Sequence, residues 1–101
     1  MNSVLTLSCE LEVQNRAGIH TRVALMIFKT MEKFRSEAKF TKEGRTANCR
    51  SVLEMLSLGV GNGEKVILTI KGDDAVDVQQ EITRLFNERF FEDEIVPESD
   101  S

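Results

Sequence analysis

His20, the single histidine of the chain, lies in a short segment whose residue types suit the holding of an anion. Gly18 allows a tight turn just before it, and Arg22 follows it by two positions. An unprotonated imidazole nitrogen is nucleophilic near neutral pH, and a guanidinium presents a planar set of donors to phosphate oxygens. A helix beginning at about Thr21 would add unpaired N–H groups and a favourable dipole. The segment therefore predicts a histidine placed to hold a phosphoryl group, although a helix-capping or surface histidine is the plainer alternative.

The two cysteines offer no second reactive centre. Cys9 and Cys49 are forty positions apart and have no thiol or histidine next to them, which argues against a zinc site, a disulfide framework and a Cys-His nucleophile. We therefore predict no metal and no cofactor. Both cysteines are expected to fill apolar space, Cys9 more clearly because it lies on the apolar side of a strand pattern.

Hydrophobic periodicity predicts the elements of the N-terminal half. Apolar and polar residues alternate over 5–13, which is the pattern of a half-buried strand. Apolar residues recur at three- and four-residue spacing over about 21–34, which is the pattern of an amphipathic helix. Two short strands are predicted at 39–41 and 46–49, joined by a turn that contains Gly44.

The C-terminal half predicts two further helices and one strand. Ser51 and Glu54 have the spacing of a capping box ahead of a short helix that Gly59 can close. Alternation over 65–71 predicts the fourth strand. The last helix is expected to begin at Asp73 or Asp74 and to bury a stripe of apolar residues: Ala75, Val78, Ile82, Leu85 and Phe86.

The predicted order is β-α-β-β-α-β-α, and strands that alternate need a cover on one side only. We therefore expect an α+β fold, an open-faced β-sandwich in which a four-stranded antiparallel sheet has three helices on one face and water on the other. The domain is predicted to span residues 1–91. Residues 92–101 carry five acidic residues, no basic residue and Pro97, and are expected to form a frayed acidic tail.

Composition narrows the class of protein. The chain has 101 residues, of which 41% are hydrophobic and 30% charged, as in one globular domain. The net charge of −4 belongs to the C-terminal end, because five of the 17 acidic residues lie there and the other twelve balance the 13 basic residues. This balance predicts no nucleic-acid partner. Without a long apolar run or a signal-peptide pattern, we predict no membrane span and a cytoplasmic location.

The segment around His20 resembles the signature G-[LIM]-H-[AT]-R-P-A of the HPr family, the histidine-containing phosphocarrier proteins of the phosphoenolpyruvate-dependent phosphotransferase system. Residues 18–24 match it everywhere except at Val23, where the family has proline. The likeness extends over about residues 4–91 and includes the order of the elements. The ending at 85–87, followed by acidic residues, is similar to the nitrogen-related NPr branch.

The resemblance implies a stoichiometric carrier, not an enzyme, phosphorylated on Nδ1 of His20 by an Enzyme I-type protein at the expense of phosphoenolpyruvate. An EIIA-type protein would then accept the phosphoryl group. Arg22 would steady this group, and the backbone at Gly18, Thr21 and Val23 would bind it. Proline pre-sets a helical φ and lacks an N–H, so Val23 reduces pre-organisation but adds a donor, and the sign of its effect on transfer stays open.

Ser51 has two interpretations that can coexist. The family analogy makes it a site for a regulatory serine kinase, whereas the capping-box spacing makes it an N-cap that stabilises its helix by about 1 kcal/mol. A docking surface for partner proteins is expected from apolar residues of the first two helices, with arginines around them: Arg16, Val23, Leu25, Arg50, Val52, Leu53 and Leu56.

Two functions of different class follow from these features. The first, which the residues and the resemblance favour, is a phosphoryl carrier. The alternative is a regulatory protein-binding module on the same scaffold, controlled by phosphorylation of His20 or Ser51. An RNA-binding platform is disfavoured, because the first and fourth strands lack the aromatic side chains on which bases stack.

Overall fold

The computed structural model describes residues 5–94. Its strands and helices follow the predicted order, and one short 3-10 segment comes after the last helix. The elements are β1 (Thr6–Glu12), α1 (Thr21–Met31), β2 (Glu37–Lys42), β3 (Arg45–Asn48), α2 (Val52–Leu58), β4 (Lys65–Lys71), α3 (Ala75–Asn87) and the terminal segment (Arg89–Glu94). The remainder of the predicted acidic tail, 95–101, lies outside the described residues.

All four strands form one antiparallel sheet in the order β1-β4-β2-β3. The last strand of the chain is therefore central, between the first two. Alternation sends Val66, Leu68 and Ile70 of β4 to the buried face, while Lys65 and Lys71 are exposed. The helices cover the buried face, and the predicted α+β open-faced sandwich is confirmed.

Apolar side chains fill the space between the sheet and the helices. Phe86 of α3 packs edge to face on Phe40, with ring centres 5.8 Å apart, and on Phe90, with ring centres 4.9 Å apart. Cys49 is fully buried in this core, whereas Cys9 is only half-buried. The expectation that Cys9 is the clearer core residue is wrong, because β1 is an edge strand and its apolar side is incompletely covered.

Helix α1 is shorter than its periodicity predicted. It ends at Met31, and two turn bonds follow: Lys33 N–H donates to Thr30 O at 3.1 Å, and Phe34 N–H donates to Met31 O at 3.0 Å. Phe34 is half-buried against the core although it is not helical. An apolar residue in the turn therefore prolonged the helical pattern beyond the helix.

The predicted end of α2 is confirmed, but the cap predicted for α3 differs. Gly59 ends α2 in the left-handed conformation, with φ of 68°. Asp74 stands at the N-cap position of α3, yet its carboxylate makes no cap bond. It accepts hydrogen bonds from the N–H groups of Arg35 (2.8 Å) and Ser36 (2.9 Å) and from the Ser36 hydroxyl. These bonds, the hydroxyl bond most of all, lower the pKa of Asp74 and tie the start of β2 to α3.

The terminal segment folds back onto the domain through three residues in the left-handed backbone conformation. Arg89, Phe90 and Phe91 have φ of 57°, 52° and 58°, a left-handed region that residues with a Cβ rarely adopt. Phe90 is fully buried, and the guanidinium of Arg84 lies 5.9 Å from the centre of the Phe91 ring. The prediction that the chain frays from residue 92 is therefore wrong at Glu92, which is also bonded to the domain.

Candidate functional site

His20 caps the N-terminus of α1. Its backbone is extended (φ −100°, ψ −172°), and its carbonyl accepts a hydrogen bond from Ala24 N–H at 2.9 Å. The N–H of Arg22 donates to Nδ1 of the ring at 3.1 Å. Because Nδ1 accepts this bond, it presents a lone pair, and the neutral ring carries its proton on Nε2. Because Nδ1 has one lone pair, the capping bond must be released before this nitrogen can act as a nucleophile.

A buried asparagine organises the loop that leads into α1. The Asn15 amide nitrogen donates to Gly18 O at 2.8 Å, while Asn15 O accepts from Gly18 N–H at 3.2 Å and from the Asn62 amide nitrogen at 3.0 Å. Neither asparagine was predicted from the sequence, because a polar loop residue has no periodic signal. The three-residue spacing from Asn15 to Gly18, typical of asparagine in turns, was the available indication.

Gly18 is required both by its conformation and by the space around it. Its φ is 71°, and a Cβ on it would collide with the carbonyl oxygen of Val60 and lie 2.8 Å from the Cα of Gly61. The same Val60 carbonyl accepts a hydrogen bond from Ile19 N–H at 3.0 Å. This close approach fixes the direction in which the chain enters His20.

The second ring nitrogen of His20 faces a carboxylate. The side chain of His20 is 35% exposed, and its Nε2 lies 3.9 Å from Oε2 of Glu92. The Glu92 carboxylate accepts hydrogen bonds from three donors of one loop: Arg16 N–H (2.6 Å), Ala17 N–H (3.2 Å) and the Asn15 amide nitrogen (3.3 Å). Burial opposes ionisation of Glu92, but these bonds and the nearby His20 outweigh it and lower the pKa of Glu92. No sequence pattern pointed to this residue.

Arg22 turns its guanidinium toward the terminal segment. Its Nη1 donates to the carbonyl of Phe90 at 2.8 Å and to Sδ of Met26 at 3.2 Å. Its Nη2 is buried and has no hydrogen-bond partner among residues 5–94. The guanidinium thus links α1 to the terminal segment and keeps one donor unused. The role of Arg22 in steadying a phosphoryl group stays a prediction.

The side chains of Thr21 and Val23, both in the first turn of α1, differ in exposure. Thr21 is exposed, whereas the side chain of Val23 is fully buried in the core beside Ala24 and Ile27. The expectation that Val23 belongs to the docking surface is therefore wrong. Its N–H lies in the first turn, where the helix itself supplies no acceptor, and the predicted backbone contact with a phosphoryl group stays a prediction.

Apolar side chains are exposed on both α1 and α2, which pack against each other. Leu53 is 74% exposed and Leu25 is 42% exposed. Val52 and Leu56 are half-buried against the core. Of the apolar residues predicted for the docking surface, Leu25 and Leu53 are therefore the exposed ones, and their docking role stays a prediction.

The two arginines predicted at the rim of that surface differ. The side chain of Arg16 is exposed. Arg50 is half-buried, and its Nη2 donates to the carbonyls of Phe34 and Ser36, both at 2.9 Å. Arg50 therefore braces the connection between α1 and β2, and its place at the rim of a docking surface stays a prediction.

Ser51 is the N-cap of α2. Its Oγ accepts a hydrogen bond from Glu54 N–H at 3.1 Å, as predicted. The reciprocal half of the capping box is absent, because the Glu54 carboxylate accepts from Asn48 N–H at 2.9 Å instead of from Ser51. The capping interpretation is thus confirmed with a different partner for Glu54, and serine phosphorylation stays a prediction.

Two kinds of feature are absent from residues 5–94. No group of three or more His, Cys, Asp and Glu side chains is arranged to hold a metal ion in this part of the chain. None of the helices described here has the length and apolar character needed to cross a membrane.

The open antiparallel sheet, covered by helices, thus presents a half-exposed histidine at the cap of the first helix. A family model described as "PTS HPr component phosphorylation site" matches residues 7–88. The phosphocarrier protein HPr of Chlamydia trachomatis is 40% identical over 86 residues, which cover 85% of this chain and 79% of that protein. HPr of Xylella fastidiosa is 33% identical over 84 residues, covering 83% and 94%.

The structural likeness agrees with the sequence likeness. A crystal structure of HPr from Thermoanaerobacter tengcongensis superimposes with a TM-score of 0.81 at 30% identity, covering 85% of this chain and 97% of the other. The chain belongs to the HPr family of phosphocarrier proteins.

Proposed function

We propose that this protein is a phosphoryl carrier whose His20 accepts a phosphoryl group from a phosphoenolpyruvate-dependent Enzyme I-type protein and passes it to an EIIA-type acceptor in the cytoplasm. The observation that carries the proposal is the 3.1 Å bond from Arg22 N–H to Nδ1. It turns the lone pair of Nδ1 toward the N-terminus of α1, where unpaired N–H groups favour an anion. The ring is also 35% exposed, so a partner can reach it.

Loading breaks one hydrogen bond and exchanges one covalent bond. The Arg22 N–H first releases Nδ1. The lone pair of Nδ1 then forms a bond to phosphorus, and the bond from phosphorus to the donor protein breaks with its electron pair remaining on the donor. The imidazole keeps its proton on Nε2 and becomes positively charged. The released N–H of Arg22 and the other N–H groups of the first helical turn can then donate to the phosphoryl oxygens, and Nη2 of Arg22 can do so when its guanidinium turns away from Phe90 O. Transfer to the acceptor reverses these steps.

Labelling with phosphoenolpyruvate tests the proposal. The purified chain is incubated with a bacterial Enzyme I and [32P]phosphoenolpyruvate, and we expect about one acid-labile, base-stable phosphoryl group per chain. His20→Asn removes the nucleophile but keeps a good N-cap side chain, so it should abolish the label without unfolding α1. Ser51→Ala should retain the label. Absence of label on the wild-type chain, or its persistence in His20→Asn, would overturn the proposal.

Two finer assignments accompany the carrier function as predictions. A serine kinase acting on Ser51 would have to displace the hydroxyl from its bond to Glu54 N–H, so the geometry supports the N-cap role more directly. Membership of the NPr branch rests on the ending at 85–87 alone. A comparison of sugar-type and nitrogen-type EIIA proteins as acceptors of the labelled phosphoryl group would decide the branch.

A further inference from the structure

The carboxylate of Glu92 is placed at the edge of His20 opposite to the proposed phosphorylation site. Nδ1 faces Arg22 N–H, whereas Nε2 lies 3.9 Å from Oε2 of Glu92. The carboxylate is held there by donors on Asn15, Arg16 and Ala17 rather than by the imidazole itself. Its position therefore does not depend on the protonation of the ring.

We propose that Glu92 is a positioning residue for phosphoryl transfer, which keeps the proton on Nε2 of His20 while the phosphoryl group occupies Nδ1. The inference rests on the proposed carrier function and adds to it a partner for the ring. A phosphorylated imidazole that is protonated on Nε2 leaves as a neutral ring, because the electron pair of the breaking N–P bond stays on Nδ1. A ring without that proton would have to leave as an anion, which is a much poorer leaving group. Glu92 therefore favours the reactive form of the charged carrier.

The position of Glu92 beside Nε2 determines whether its charge favours or opposes protonation of the phosphorylated ring. Glu92 attracts the positively charged ring but repels the phosphoryl group, which is also negative. The ring proton lies on Nε2, between the ring and the carboxylate, whereas the phosphoryl group would be attached at the other side of the ring. Protonation of Nε2 changes the charge of the ring and not that of the phosphoryl group, so the repulsion is the same in both protonation states and the attraction decides which state is favoured.

The other charged groups around the ring do not duplicate this role. The side chain of Arg16 is exposed, and only its backbone N–H contacts Glu92. The guanidinium of Arg22 is bonded to Phe90 O. Both arginines are cationic and would oppose protonation of the ring. Glu92, whose carboxylate lies within 4 Å of Nε2, carries the charge that favours protonation.

The stability of the phosphorylated protein tests the proposal. Phosphorylated wild type and Glu92→Gln are prepared with Enzyme I and phosphoenolpyruvate, the donor is removed, and loss of the phosphohistidine signal is followed by 31P NMR at several pH values around neutrality. Hydrolysis and transfer both proceed through the protonated ring. We expect the half-life of Glu92→Gln to be about fivefold longer, which corresponds to the ~1 kcal/mol between unit charges about 4 Å apart in water.

Two further variants separate a charge effect from a structural one. Glu88→Gln removes the same charge from an exposed residue that pairs with Arg84, and its half-life should equal that of wild type. Glu92→Asp keeps the charge but shortens the side chain, whereas Glu92→Gln keeps the length and an oxygen acceptor for Arg16 N–H. If the charge of Glu92 matters, the half-life of phosphorylated Glu92→Asp should lie close to that of wild type. If Glu92 only anchors the loop, Glu92→Asp should change the half-life more than Glu92→Gln does.

The outcomes separate the two proposals. A wild-type chain that takes no label refutes the carrier function and, with it, this role of Glu92. A wild-type chain that is labelled on His20, together with a Glu92→Gln half-life that is unchanged or shorter, refutes only the role of Glu92. A shorter half-life with faster loading would show instead that Glu92 obstructs the site.

Discussion

Replacement of Gly18 by alanine provides a direct measurement of how tightly the loop before His20 is packed. Gly18 and Gly59 have nearly the same φ, 71° and 68°. A Cβ on Gly59 meets nothing within 4 Å, whereas a Cβ on Gly18 collides with the carbonyl oxygen of Val60. Gly59→Ala therefore reports the conformational cost alone, and Gly18→Ala reports that cost together with the collision.

The expected magnitudes follow from these two contributions. An alanine in the left-handed region costs roughly 1–2 kcal/mol at either position. Overpacking against the backbone of residues 60–61 adds about 1–3 kcal/mol at Gly18 only. We therefore expect Gly18→Ala to lower the free energy of unfolding by about 1–3 kcal/mol more than Gly59→Ala does.

Urea unfolding followed by circular dichroism gives both values, with the slope of the transition as a check on two-state behaviour. In 1H–15N spectra the amides of Ile19 and Arg22 should shift in Gly18→Ala and stay in place in Gly59→Ala. Equal loss of stability in the two variants would refute the close approach between Gly18 and Val60, and with it the account of how the chain enters His20.

Three further predictions concern the supporting residues. Ser51→Ala should lower the free energy of unfolding by about 1 kcal/mol through loss of the α2 cap, and Ser51→Asp should recover most of it; equal urea midpoints for all three chains would contradict this. The bonds from Ser36 lower the pKa of Asp74 in the folded protein, so they stabilise the fold fully above about pH 3.9, the ordinary pKa of an aspartate. This contribution is lost as the pH falls through the lower pKa that Asp74 has in the folded protein. Asp74→Asn should therefore be less stable than wild type near neutral pH and lose less on acidification, and parallel acid profiles would count against it. Burial raises the pKa of the Cys49 thiol, so a disulfide reagent should label native protein at Cys9 first, and Cys9→Ser should remove the fast phase.

Local patterns predicted the elements because each depends on neighbours in sequence. The alternation of Val66, Leu68 and Ile70 and the helical stripe that includes Ile82 and Phe86 correspond to buried faces in the structure. The order of the strands in the sheet was not predicted, since it depends on which strand edges pair across long stretches of sequence. The pattern also overstated the length of α1, because Phe34 in the turn that follows continues the apolar stripe.

The candidate site was predictable only where its residues are close in sequence. His20, Gly18 and Arg22 lie within five positions, and their types alone indicate an anion site. Glu92 belongs to an acidic, aperiodic stretch, and its bond to Arg16 joins residues that are 76 positions apart. The apolar pair at 90–91 precedes this stretch, but it does not single out Glu92.

The left-handed run at Arg89, Phe90 and Phe91 returns the chain to the loop before His20, where Glu92 binds it, while Phe90 stays in the core. Each of these three residues adopts a conformation that costs roughly 1 kcal/mol relative to a helix, so we expect the terminal segment to open locally before the strands separate. Local opening of this segment would free the N–H groups of Arg16 and Ala17 from Glu92 while the strands stay paired. Hydrogen exchange at these two amides would therefore measure the local opening separately from global unfolding.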